Sequence, residues 1–282
     1  MTSPGAPLVI TSPANPRLKS LTALRRRRTR EAEGVTLVEG FEELELAWRS
    51  GVVPRAVYYC PALMAGDAAR SGLVREAGAA GAEIVELSRA AFERAAYREG
   101  PDGFLAVVST STRAAAGLDV PDDALVLVCE GVEKPGNLGA MLRTADAAGV
   151  HAVVAADPVT DWGNPNVVRS SKGTVFSVPV ATDTARSALD WLRQRGITVV
   201  AATPDTDVAH TDVDYTGPVA ILVGAEKHGL TPQVVEQADH RVRIPMTGVA
   251  NSLNVSTSAA IVVYEAVRQR RAASRSVSAG RG

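Results

Sequence analysis

Cysteine is nearly absent: Cys60 and Cys129 are the only two in 282 residues, too few and too far apart for a disulfide framework. The four histidines, His151, His210, His228 and His240, form no ligand spacing with them, so a metal centre is not expected. No apolar run approaches the roughly eighteen residues that span a bilayer. The opening MTSPGAPLVITSPANPRLKS lacks the basic-then-apolar order of a secretory signal, and a cytoplasmic protein is expected. No G-x-G-x-x-G follows an apolar strand and no G-x-x-x-x-G-K-[ST] occurs, which excludes the usual dinucleotide and nucleoside-triphosphate fingerprints. Lysine is scarce as well, with four residues against an excess of Gly, Ala and Arg. Without any internal repeat, that bias reads as genomic base composition rather than a low-complexity segment.

What is present suffices for a large core, since 46% of residues are hydrophobic. Net charge is only −1, but it is unevenly placed. Residues 17 to 30 carry Arg17, Lys19, Arg25, Arg26, Arg27, Arg28 and Arg30 with no acid among them, and Arg268, Arg270, Arg271, Arg275 and Arg281 repeat the trend near the end. Both basic segments are candidates for phosphate contact. Leu18, Leu21 and Leu24 recur at helical spacing within the first run, so they can dock while the guanidiniums face outward.

Strand-like runs alternate with helical patterns from TLVEG through AVYYC, AEIVELS and GFLAVVST, and again from ALVLVCEGV through HAVVAAD, ITVVAATP, VAILVGAE and HRVRIPM. The small, Pro- and Gly-punctuated STRAAAGLDVPDD at 111 to 123 suits a linker. Two α/β domains are expected, over 1–114 and 115–282, the second built on a mostly parallel sheet.

Three stretches carry chemistry. In EKPGNLGAMLRTADAAGV, Leu138, Met141, Leu142, Ala145 and Gly149 mark the buried stripe of a helix, Asn137 sits where an N-cap belongs, and Arg143 shares a face with Gly139, Ala140 and Ala147. VAILVGAEKHGL is a buried strand running into Gly224 and then Glu226, Lys227 and His228. A glycine at the carboxyl end of such a strand lets a ligand approach the backbone; His228 reads as a surface residue. IPMTGVANSLNVSTSAAIVVYEA packs Asn251, Ser252 and Asn254 into one strand-to-helix turn. One cap would explain one of them, and Leu253 between them suits a flat apolar ligand face.

In that order, NLGAMLRTADAAG, LVGAEKHGL and IPMTGVANSLNVSTSAAIVVYEA resemble the three motifs of the SpoU (TrmH) family of RNA 2′-O-ribose methyltransferases, and NPNVVRSSKGTVFSVPV resembles the segment between the first two. ITSPANPRLKSL through DGFLAVV is similar to the substrate-binding domain that many members carry. A narrower likeness is to actinomycete ribosomal RNA methyltransferases, including antibiotic-resistance enzymes. The resemblance implies a C-terminal knotted (SPOUT, trefoil) parallel-sheet methyltransferase domain behind a smaller N-terminal α/β RNA-binding domain, whereas pattern alone suggests an unknotted doubly wound sheet. It implies S-adenosylmethionine as cofactor, held by Thr203, Val223, Gly224, Ile244, Met246, Ser252 and Leu253. Arg143, Asn137, Glu226, Ser252 and Asn254 would form the catalytic centre, Arg17, Arg25, Arg26, Arg27, Arg28, Arg169 and Lys172 would meet RNA, and the protein would be a homodimer. A guanidinium is a poor base, so Arg143 is expected to clamp a phosphate and stabilise developing alkoxide charge, with Glu226 positioning Arg143 or the cofactor. The activity implied is ribose 2′-O-methylation, most readily of 23S ribosomal RNA; transfer RNA, a non-catalytic ribosome-binding protein and a small-molecule enzyme are the alternatives.

Overall fold

The apolar runs build two sheets, one mixed and one wholly parallel. The computed structural model describes residues 7–64, 68–110, 113–249 and 251–279, with side chains to 276, and Arg281 lies outside them. The chain divides into two compact units, Met1–Ser111 with Asp161–Ser177, and Thr112–Thr160 with Val178–Gly282.

The first unit begins with β1 (Leu8–Ile10), α1 (Pro16–Ala23), α2 (Arg27–Glu33), β2 (Val35–Glu39) and α3 (Phe41–Arg49). It continues through β3 (Ala56–Tyr59), α4 (Ala68–Ala79), β4 (Glu83–Leu87), α5 (Arg89–Ala95) and β5 (Phe104–Ser109). The sheet order is β1-β4-β3-β5-β2, with β1, β4 and β3 parallel and β5 antiparallel to both neighbours. Asn15 caps α1 by accepting the Arg17 N–H at 2.9 Å, with Pro16 at the first helical position. The basic run is thus two helices broken at Leu24 to Arg26, and Leu18, Leu21 and Leu24 are buried beside Phe92 and Leu105 as their spacing predicts.

The second unit starts with β6 (Leu125–Glu130), α6 (Pro135–Ala148) and β7 (Ala152–Ala156). The chain next contributes α7 (Pro165–Ser170) to the first unit. It then resumes with β8 (Val180–Asp183), α8 (Ala185–Gln194), β9 (Thr198–Ala202), β10 (Val219–Val223), α9 (Pro232–Gln237), β11 (His240–Val242) and α10 (Val255–Ala279). Six parallel strands lie in the order β11-β9-β10-β6-β7-β8. Strands covered on both faces need continuous apolar sequence, and β6, β7 and β10 are buried at every residue. On one face Val126, Val128, Val154 and Leu222 meet Leu189, Trp191 and Leu192 of α8, each large side chain contributing about 1.5–3 kcal/mol by leaving water. On the other, α10 packs on α6 and β10. The chain therefore leaves β11 at the sheet edge and returns to the sheet centre. Gln269 and Arg270 fasten α10: Gln269 donates to Val213 O (3.0 Å) and accepts from Tyr215 N (3.0 Å), while Arg270 donates to the carbonyls of Tyr215, Asp123, Ala124 and Gly217. Arg270, grouped by sequence with the basic end, is a half-buried clamp; Arg268 pairs with Glu265 at 2.7 Å, and Arg271 and Arg275 are exposed.

Residues 161–177 join the first unit through specific contacts. Arg30, 3% exposed, binds Asp161 at 2.6 Å. The Thr36 hydroxyl donates to Gly163 O, α7 packs on β2, and Asn164 caps α7 by accepting Asn166 N–H at 2.9 Å.

Candidate active site

Three loops of the second unit, those following β6 and β10 and the one preceding α10, bring Asn137, Glu226 and Asn254 together. The loop after β6 leads into Lys134, the N-cap residue of α6, and Pro135 occupies the first helical position. Asn137 is therefore not the cap its sequence position suggests. It is the third helical residue, within the first turn, and its side-chain amide donates to Glu226 Oε1 rather than serving the helix end. Gly139 is also buried with Leu138, Met141, Leu142 and Ala145, rather than lying on the open face, and Gly149 is the left-handed terminating residue with φ 71°.

The second loop is a closed turn. Ala225 N donates to Gly229 O at 3.1 Å and Gly229 N to Ala225 O at 2.9 Å, so Glu226, Lys227 and His228 project from its tip. A Cβ on Gly224 would lie 2.0 Å from the Gly229 carbonyl carbon and 2.2 Å from Leu230 N. The space on the Cβ side of Gly224 is thus filled by the chain itself, so the closed turn alone requires a glycine there. Val223 is buried too, so this strand end can offer a ligand only main-chain groups.

In the third loop, Asn254 caps α10: its Oδ1 accepts Ser256 N–H at 2.9 Å and the Ser256 hydroxyl at 2.6 Å. Its amide donates to Asn137 Oδ1 at 3.1 Å and reaches Glu226 Oε1 at 3.5 Å. Asn251 and Ser252 are exposed, as are the apolar Leu253 (37%), Met246 (40%) and Val249. Ile244 is half-buried, and Thr203 accepts Asp205 N–H at 3.2 Å while its own N–H donates to Val242 O at 2.9 Å.

Lys134 completes the cluster and was not anticipated from sequence. Its ammonium pairs with Glu226, and that hydrogen bond, seconded by Asn137, holds the Glu226 carboxyl below its ordinary range. Arg143 stands exposed on α6 without a bonded partner among the described residues, so the carboxylate engages Lys134 and not Arg143. Among those residues no three His, Cys, Asp or Glu side chains converge as a metal ligand set would, and no helix is long and apolar enough to cross a membrane.

The expected RNA contacts lie in the first unit. Arg26 and Arg28 are exposed, and their guanidiniums have no hydrogen-bond or ion-pair partner among the described residues. Arg17 pairs with Glu83 at 2.5 Å and Arg27 with Glu31 at 2.7 Å. Arg25 is structural: it donates to Ala95 O and Ala96 O and lies 5.2 Å from the Tyr97 ring centre. Arg169, exposed on α7, approaches the same ring at 5.9 Å and donates to Asn166 Oδ1 at 3.1 Å. Lys172, in the left-handed region at φ 54°, reaches Glu42 at 3.3 Å. The run is thus only partly the outward-facing array its spacing suggests.

Residues 124–264 match the SpoU rRNA methylase family and residues 15–106 the MRM3-like substrate-binding domain. The chain belongs to the SpoU methylase family. It is 32% identical to the 23S rRNA (uridine(2479)-2′-O)-methyltransferase of Streptomyces viridochromogenes, over 89% of this chain and 88% of that one. A crystal structure of an RNA 2′-O ribose methyltransferase superposes with TM-score 0.80 at 39% identity, over 93% of this chain and 99% of the other. The SpoU methyltransferase AviRb from Streptomyces viridochromogenes, in complex with AdoMet, superposes with TM-score 0.83 at 30% identity, over 92% and 100%. The SpoU match spans every element that carries Lys134, Asn137, Arg143, Glu226 and Asn254.

Proposed function

We propose that this protein methylates a ribose 2′-hydroxyl of 23S ribosomal RNA, using S-adenosylmethionine, in the cytoplasm. The observation that carries the reading is the joining of Asn137, Glu226 and Asn254, one from each motif loop, by direct hydrogen bonds in a chain of the SpoU family. The donor fits the third loop, where Leu253 and Met246 expose apolar side chains in an otherwise polar turn; an adenine face would cover them, with Ile244, Ser252 and Thr203 and the main chain of Val223 and Gly224 completing the pocket. S-adenosylmethionine supplies a methyl already activated on a sulfonium, so the protein's own task is positioning and removal of the hydroxyl proton.

Arg143 is suited to hold the neighbouring phosphate in a planar two-pronged contact and to stabilise charge developing on the ribose oxygen. Asn137 and Asn254 orient the reacting groups, and the proton leaves to the phosphate or to water, because Glu226 is already an acceptor for Lys134 and Asn137. The first of two functional domains, 1–114, carries RNA contacts at Arg17 and Arg26 to Arg28, and the second, 115–282, the transfer chemistry; the matches at 15–106 and 124–264 support that division. Arg169 and Lys172 add contacts from the segment that packs with the first unit. The return of α10 from the sheet edge to its centre supports the knot, and a homodimer completes the reading. A ribose methyl at a drug's ribosomal site would also confer resistance to that antibiotic.

The test is transfer of labelled methyl from S-adenosylmethionine to 23S rRNA, with the modified ribose mapped and the particle mass measured by sedimentation. Label on a base, on transfer RNA alone or on no RNA overturns the function, and a 29.4 kDa particle at micromolar concentration overturns the dimer.

A further inference from the structure

We propose that Lys134 is a positioning residue whose charge sets the direction of a hydrogen-bond relay through Glu226, Asn137 and Asn254 to the start of α10; the proposal rests on the methyl-transfer reading of this site. As a surface ion pair the contact contributes little to stability, and Lys134 is 68% exposed along its side chain. Its significance is directional. A side-chain amide has a donor end and an acceptor end, and nothing in its shape distinguishes them. An ionised carboxylate only accepts, so Glu226 must face the donor end of Asn137. Asn137 Oδ1 is then turned to the Asn254 amide, 3.1 Å away, and Asn254 Oδ1 is left for Ser256 N–H at 2.9 Å. Both ends of each amide are committed before substrate arrives.

Protonation of Glu226 would add an O–H donor, let the Asn137 amide turn over and uncouple Asn254 from it. Lys134 guards against this. The groups bonded to Glu226 are Lys134 and Asn137 from α6 and Asn254 from the start of α10, with Lys227 and His228 flanking it on its own loop; Lys134 is the charged one among those bonded. The lowered Glu226 titration agrees with that arrangement. Nothing in the motif resemblance assigns the residue before Pro135 a part in the site.

The experiment compares the parent with Lys134→Met and Lys134→Arg in the full-length protein, reading the Glu226 carboxyl carbon by NMR titration and the pH profile of methyl transfer. In Lys134→Met the Glu226 midpoint and the acid limb of kcat should both move to higher pH, while kcat at neutral pH, where an ordinary glutamate is still ionised, should change little. The dissociation constant for S-adenosylmethionine should stay within a few-fold, and Lys134→Arg should restore both titrations. An unmoved Glu226 midpoint in Lys134→Met, or a loss of kcat with the acid limb in place, overturns the proposal. A parent protein in which Glu226 titrates low and responds to Lys134, yet transfers no methyl to RNA, overturns the methyl-transfer reading instead and leaves the relay standing as geometry.

Discussion

Replacing Gly224 by alanine isolates what the second motif loop demands of its sequence. The added methyl would sit 2.0 Å from the Gly229 carbonyl carbon and 2.2 Å from Leu230 N. Both are main-chain atoms, held by the reciprocal Ala225–Gly229 bonds and by burial of Leu230, so no flexible side chain can give way. Overpacking of this kind costs roughly 1–3 kcal/mol. At about 2 kcal/mol, with each kcal/mol worth about 2–4 °C in a unit of this size, the melting temperature should drop by roughly 4–8 °C. Because the turn must open, Glu226 should leave Asn137 and methyl transfer should fall with it. Scanning calorimetry of Gly224→Ala beside Gly136→Ala makes the comparison fair: a Cβ on Gly136 meets nothing within 4 Å, and alanine there should be neutral or stabilise by up to about 1 kcal/mol. If Gly224→Ala melts within about 1 °C of the parent, the steric account is wrong and the glycine serves ligand approach after all.

Arg143→Ala should abolish methyl transfer while S-adenosylmethionine affinity, read by calorimetry, stays within a few-fold; Arg143→Lys should fail nearly as badly, and retained turnover in the lysine variant would show that charge alone suffices. Changing Arg26 and Arg28 together to glutamine should weaken RNA binding and flatten its salt dependence by up to about 0.7 in slope per lost single-strand phosphate contact, with an unchanged slope excluding them from the interface. Arg25→Gln should instead lower the melting temperature, since its donors serve Ala95 and Ala96; a melt equal to the parent's would return Arg25 to the RNA surface. Arg30→Met should destabilise the first unit by about 3 kcal/mol in urea unfolding, because Asp161 is left half-buried without its nearest partner, and a neutral result would mean Arg27 takes over.

The strands of the second unit were legible because a sheet covered on both faces admits only apolar residues, and β6, β7, β9 and β10 each fall on a run read as a strand. β1 and β8 were not: LVI and VATD are too short, and half-exposed at their ends, to carry a period. Within the site, spacing marked the three motif loops but not the bonds between them. Asn137 looked like a cap because it precedes the apolar stripe, while Pro135 had already started the helix. The reason for Gly224 lies in a backbone five residues on that only the closed turn brings near. Lys134 escaped notice since its partner, Glu226, is 92 residues away. The membership of 161–177 in the first unit was equally invisible, resting on an Arg30–Asp161 bond across 131 residues.

That last bond bears on the order in which the chain can mature as it is synthesised. Arg30 and Thr36 emerge early, but Asp161 and Gly163, which satisfy them, follow only after β6, α6 and β7 have been laid down. A nascent chain of a hundred or so residues therefore holds a guanidinium that has no counter-charge and a β2 flank that α7 has yet to cover. Once made, the first two strands of the parallel sheet, β6 and β7, wait in turn for β10 and β8, exposing valine-rich surface to any neighbour. Such half-built intermediates are where aggregation competes with folding. A fragment ending at residue 111 should be recovered from insoluble material, and supplying 161–177 by circular permutation should rescue it.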